Sequence, residues 1–85
     1  MNNLITKYIN LLKIEDIKNF GIKNNIFLSD NESSYIYNVL KTKSKDLINN
    51  SDDVFNDARK YIDENNLIKI ERLFYEYKKR YRNYL

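Results

Sequence analysis

The first apolar positions, Leu4, Ile5, Tyr8, Ile9, Leu11 and Leu12, recur at i, i+1, i+4, i+5, i+7 and i+8. That spacing predicts an amphipathic helix with a broad apolar stripe. Ile14, Ile17, Phe20 and Gly21 follow on a different face of any straight continuation, so a break is expected near Leu12–Lys13. Asn24–Asn25 suits a helix stop, because asparagine tolerates the left-handed conformation. "IFL" at 26–28 then reads as an extended link. It leads into Ser29 and Glu32, whose S-x-x-E spacing is a capping box and the clearest helix start in the chain.

The next helix turns Tyr35, Ile36, Val39 and Leu40 inward. "KTKSKD" interrupts the pattern and Leu47–Ile48 renew it, so the helix ends near Thr42 or runs on to Asn49; the spacing allows both. A further helix begins with Ser51 as N-cap and Asp52 and Asp53 in its first turn, with Arg59 and Lys60 towards its end. That arrangement complements the helix dipole. Its stripe is Val54, Phe55, Ala58, Tyr61 and Ile62. Asn65 or Asn66 then caps the last helix. There Leu67, Ile70, Phe74, Tyr77, Tyr81 and Tyr84 alternate spacings of three and four, and Leu73 widens the stripe. From Asn66 to Leu85 such a helix is about 30 Å long, so its last turns are expected to overhang a bundle of shorter helices.

These elements predict one all-α domain over residues 1–85, a compact bundle of four to five short helices with a long C-terminal helix. The expected core is Ile5, Ile9, Leu12, Ile17, Phe20, Leu28, Ile36, Leu40, Phe55, Ile62, Ile70 and Phe74. Proline is absent and glycine occurs once, which suits helices better than hairpins. Heavy use of lysine, asparagine, isoleucine and tyrosine reads as AT-rich coding rather than as function. The heptad seam of the last helix covers about two and a half repeats, too few for a coiled coil. Leu67, Ile70, Leu73 and Phe74 are therefore expected to face the domain's own core. Three buried tyrosine hydroxyls along one seam would each need a partner, so the tyrosines are placed at a wet edge or against a partner.

Composition removes most catalytic chemistry. There is no cysteine, hence no disulfide, thiolate or sulfur-ligated metal, and no histidine, the commonest acid–base group near neutral pH. No glycine-rich phosphate loop or zinc set is present. Asp53 and Asp57, at i and i+4, are the one pair that could share a divalent ion; two carboxylates at a helix start more commonly serve the dipole. No cofactor is implied, and the protein is read as no enzyme. The N-terminus lacks a secretory pattern and no apolar run is long enough to span a membrane, so a cytoplasmic location is expected.

Charge adds the sharpest feature. In "YEYKKRYRNYL", Lys78, Lys79, Arg80 and Arg82 stand against Glu76 alone, a surplus of three. The net charge of the whole chain is +3, so residues 1–74 balance. Tyr75, Lys78, Lys79, Arg80, Tyr81 and Arg82 form the candidate binding surface. Cations pair with phosphates and tyrosine rings stack on unpaired bases. Four phosphate contacts would give a log–log salt slope of about −3.6, roughly a 100-fold loss from 50 to 200 mM salt. The same cations are also what a helix C-terminus prefers, and Glu76–Arg80 is an ordinary i, i+4 pair. An acidic protein or an anionic membrane surface would suit them equally.

The order "IEDIKNFGIKNNIFLSDNE", "YIYNVLK", "FNDARKYI" and "KIERLFYEYKKRY" resembles an uncharacterised family, a domain of unknown function, of small helical proteins from low-GC Gram-positive bacteria. The resemblance spans nearly the whole chain. It rests on the acidic start at Glu15–Phe20, the "I-x-L-[ST]" link at Ile26–Ser29 and the "K-x-[IV]-x-x-L-F" helix at Lys69–Phe74. The chain departs from it before Glu15, where Lys13–Ile14 replaces a Ser or Thr cap. The resemblance implies a helical fold and brings no catalytic residues. Residues 15–41 also look faintly like helix-extended-helix DNA-binding motifs, although Lys18, Lys23 and Lys41 are balanced there by Glu15, Asp16, Asp30 and Glu32. The first functional reading is a non-enzymatic interaction module or accessory factor, a monomer or weak homodimer, that binds an unknown protein through the tail. The second is nucleic-acid binding through the same tail.

Overall fold

The computed structural model describes Lys7 and residues 10–81, the side chain of Tyr81 excepted. Lys7, Asn10 and Leu11 have helical backbone, and the helix breaks at Leu12–Lys13 as the change of face requires. Five helices follow: α1 Ile14–Lys23, α2 Asp30–Thr42, α3 Ser44–Asn49, α4 Ser51–Ala58 and α5 Glu64–Tyr81. There is no strand among the described residues. Ile5 and Ile9 of the expected core, and Arg82 of the expected binding surface, lie outside the described residues.

Helix α1 starts without a Ser or Thr cap. Lys13 is extended, and its N–H donates to the Asp16 carboxylate at 2.9 Å. The helix closes in a Schellman motif. Asn25 has φ 61°, Asn25 N–H donates to Ile22 O at 3.1 Å, and Ile26 N–H donates to Gly21 O at 2.7 Å. The link then tucks in Ile26, 3% exposed. This close return explains the single glycine: a Cβ at Gly21 would stand 2.5 Å from Ile26 O.

Helix α2 carries the expected capping box. Ser29 Oγ accepts from Glu32 N at 3.1 Å, and Glu32 Oε1 accepts from Ser29 N at 2.9 Å. The helix stops at Thr42, and Lys43, at φ −129° and ψ 28°, separates it from α3. Two caps differ from expectation. Asn50, not Ser51, precedes α4, and Ser51 is its buried first residue. Helix α5 is capped by Asp63 rather than Asn65 or Asn66: Asp63 Oδ2 accepts from Asn65 N at 3.1 Å and Asn66 N at 3.4 Å.

The core centres on Phe55, Ala58, Ile62 and Leu67, with Tyr35, Ile36, Leu47, Ile70 and Phe74 packed against them. Ile17, Ile26, Val39 and Val54 are buried beside this cluster. Leu12, Leu28, Ile36, Leu40, Ile70 and Phe74 of the expected core are half-buried. Phe20 is the exception. It is 45% exposed, because the α1 face that carries it points towards the far end of α5 rather than into the cluster.

Glu32 ties the caps together. It is 7% exposed, and its Oε2 accepts from Asp63 N at 2.8 Å, while Asn66 Nδ2 lies 3.3 and 3.4 Å from its two oxygens. Asn66 Nδ2 also reaches Phe27 O at 3.1 Å. One carboxylate thus joins the start of α2, the start of α5 and the link between α1 and α2. Burial alone would raise its pKa; the hydrogen bonds from Ser29, Asp63 and Asn66 outweigh that and hold it below the ordinary carboxylate value.

An apolar cavity of about 660 Å³ lies between α1, α2, α4 and α5, lined among others by Ile17, Ile36, Leu40, Leu67 and Leu73. Phe20 and Tyr77 also line it, as do Asn19 and Lys23 of α1.

Candidate functional site

The candidate surface is built on about the last two turns of α5, Tyr75 to Tyr81. The first turns anchor that helix. Leu67 is 1% exposed, and Leu73 and Phe74 are half-buried. Phe74 meets Phe55 edge-on at 5.3 Å between ring centres. A helix fixed this way carries its next residues at set angles along its axis. Its 18 residues span about 27 Å, close to the molecule's longest extent of 31 Å. Its later turns still touch the rest of the fold, Tyr75 at Asp52 and Tyr77 at Phe20. The remainder of the expected overhang, residues 82–85, lies outside the described residues.

Tyr75 is 43% exposed, but its hydroxyl is committed. It donates to Asp52 Oδ1 at 2.9 Å, and its ring lies 6.2 Å from Phe55 and 5.5 Å from Phe74. The bond to Asp52, helped by burial, raises the Tyr75 pKa above its ordinary value. Tyr75 therefore tethers α5 to α4 and sets the rotation of the turns beyond it.

The three described cations come next. Lys78 Nζ lies 5.9 Å from the Phe74 ring centre, and the Arg80 guanidinium lies 6.0 Å from that of Tyr77. Both are cation–π distances. The expected Glu76–Arg80 pair does not form. No described carboxylate lies within 4.0 Å of Lys78, Lys79 or Arg80. The ion pairs that do form lie elsewhere: Lys18–Asp30, Lys43–Asp57, Lys60–Asp57 and Arg59–Glu71. Tyr81 continues the helix.

Sequence reasoning missed α1 at this end. Phe20 lies 6.2 Å from Tyr77 between ring centres, with the rings tilted by 38°. Both rings are partly in water, Phe20 at 45% and Tyr77 at 39%. Lys23, one turn beyond Phe20, is exposed and has no ion pair among the described residues. The helical spacing of Phe20 read as core and gave no sign of this.

Of the candidate pair Asp53 and Asp57, Asp57 already has partners within the fold. Asp57 Oδ2 accepts from the Tyr35 hydroxyl at 3.3 Å, and Lys43 and Lys60 each stand 3.9 Å from its carboxylate. Burial, then the nearby Asp57, pushes Tyr35 up to about 12. Among the described residues no three acidic side chains are placed to share a metal ion, and no helix is long and apolar enough to cross a membrane. The chain matches no protein-family model, no curated protein and no solved structure.

Proposed function

We propose that this protein is a non-enzymatic interaction module whose working surface is the C-terminal end of α5, and that it engages a negatively charged macromolecular partner. One observation carries the reading. Lys78, Lys79 and Arg80 are consecutive at the end of α5, and none has a carboxylate within 4.0 Å among the described residues. An isolated helix end gains about 0.3–1 kcal/mol from each such cation. That gain does not require the local acid, Glu76, to be left aside. With Glu76 not neutralising them, the three charges remain available to an acidic surface, where cations of this kind chiefly raise the rate of association.

The test compares the protein with a variant carrying Lys78→Ala, Lys79→Ala, Arg80→Ala and Arg82→Ala on a panel of polyanions. Heparin, poly-glutamate and oligonucleotides are titrated at 50 and 200 mM salt. Binding that weakens with salt and disappears in the variant supports the reading. No binding to any polyanion at 50 mM salt overturns it.

A further inference from the structure

We infer that the apolar cavity between α1, α2, α4 and α5 is a binding site for a single-chain fatty acid, with the tail in the cavity and the carboxylate at Lys23. This is independent of the basic end of α5. Protein interiors are close-packed, with few voids larger than a water molecule. Here about 660 Å³ is open, within the roughly 300–1,000 Å³ of small-molecule sites, which in helical bundles lie between the helices. A second observation agrees with the volume. Leu12, Leu28, Ile36, Leu40, Ile70 and Phe74 have core spacing, yet each is only half-buried. All six line this cavity. Their incomplete burial thus faces one common space, and an apolar ligand would fill it.

The polar part of the wall is confined to one helix. Among the described residues that line the cavity, the charged and amide side chains are Asp16, Asn19 and Lys23, all exposed and all on α1. Their i, i+3, i+7 spacing sets them along one edge of that helix. Asp16 is occupied, accepting from Lys13 N–H at 2.9 Å. The Tyr35 hydroxyl, also on the wall, is committed to Asp57 at 3.3 Å. Lys23 lies two turns beyond Asp16, about 10 Å along the axis, and has no ion pair among the described residues. An unpaired cation at the edge of an apolar space suits a molecule with one acid group and an apolar remainder. A partner helix, about 10–12 Å across, needs a groove open along its length. A space set between four helices admits a slender chain instead.

The experiment is isothermal titration calorimetry of the full chain with dodecanoate, decanoate and decanol, each below micelle formation. The expected result is one-to-one binding of dodecanoate, with decanoate about 15-fold weaker for its two fewer methylenes. Lys23→Met should weaken decanoate by about 2- to 5-fold and leave decanol unchanged. Leu40→Trp and Leu73→Trp each place a larger ring in the cavity. Both should weaken dodecanoate by about 5-fold or more, with Tm by circular dichroism unchanged or raised. No binding of dodecanoate overturns the inference, and so does binding that neither Trp variant weakens, which puts the ligand elsewhere. A lowered Tm in both Trp variants overturns it as well, because a larger side chain overpacks only a space the protein already fills. Lys23→Met that weakens both decanoate and decanol, or neither, takes the carboxylate away from Lys23 and overturns the fatty-acid assignment.

Discussion

Replacing Glu32 by alanine should destabilise this domain more than replacing any surface acid. The carboxylate accepts from Ser29 N at 2.9 Å and Asp63 N at 2.8 Å, with Asn66 Nδ2 at 3.3 and 3.4 Å. Truncation leaves two backbone N–H groups without their acceptor at a site 7% exposed. Hydrogen bonds to a charged group are each worth about 1.5–3 kcal/mol. Water can reach part of the gap, so we take the low end for each, about 3 kcal/mol together. That is a large part of the roughly 5–15 kcal/mol that stabilises a typical domain. For a chain of this size it lowers Tm by about 12–24 °C. Urea and thermal unfolding followed by circular dichroism would measure it. A loss below about 1 kcal/mol would mean that Glu32 acts only as one helix cap, and the three-way junction would be refuted. The pH dependence follows from the same geometry. The folded pKa lies below the ordinary 4.5. The stabilisation is therefore complete above that value and is lost as pH falls through the depressed folded value. Glu32→Gln should flatten this acid limb.

Gly21→Ala should destabilise by about 1–3 kcal/mol despite alanine's helix propensity, because the new Cβ meets Ile26 O at 2.5 Å; thermal unfolding reads it. Asn25→Gly should stabilise by a few tenths to about 1 kcal/mol, since φ is 61° there. Tyr35 should titrate near 12, above its value in the unfolded chain. Its contribution is therefore full below pH 10 and fades as pH rises towards 12; absorbance titration of Tyr35→Phe should lack that late step. Ser33→Ala should be neutral or stabilising in urea unfolding, because Ser33 Oγ is fully buried with no hydrogen-bond partner among the described residues.

Much of this fold is legible in the chain because local chemistry sets it. Ser29 and Glu32 at S-x-x-E spacing form the capping box, and Asn25 takes the left-handed position that stops α1. The change of apolar face after Leu12 breaks the first helix. What the sequence hides is decided by partners distant along the chain. Asp63 caps α5 where Asn65 and Asn66 are equally good candidates by residue type, because Asp63 N is held by Glu32, 31 residues away. Phe20 has core spacing on α1, and only the placement of α5 leaves it against Tyr77 in water. The basic tail was visible as composition. That Arg80 turns to Tyr77 instead of Glu76, and that Tyr75 is tethered to Asp52, are consequences of packing that no spacing reveals.

The C-terminal end of α5 is the proposed working surface. Its most direct test is a backbone amide NMR titration of isotope-labelled protein with heparin, poly-glutamate and an oligonucleotide in turn at 50 mM salt. Shifts concentrated at Tyr77–Arg80 with at least one polyanion, and none at Ser44–Asn49, are the expected result. Shifts centred on Ser44–Asn49, or none with any polyanion at saturation, would contradict it.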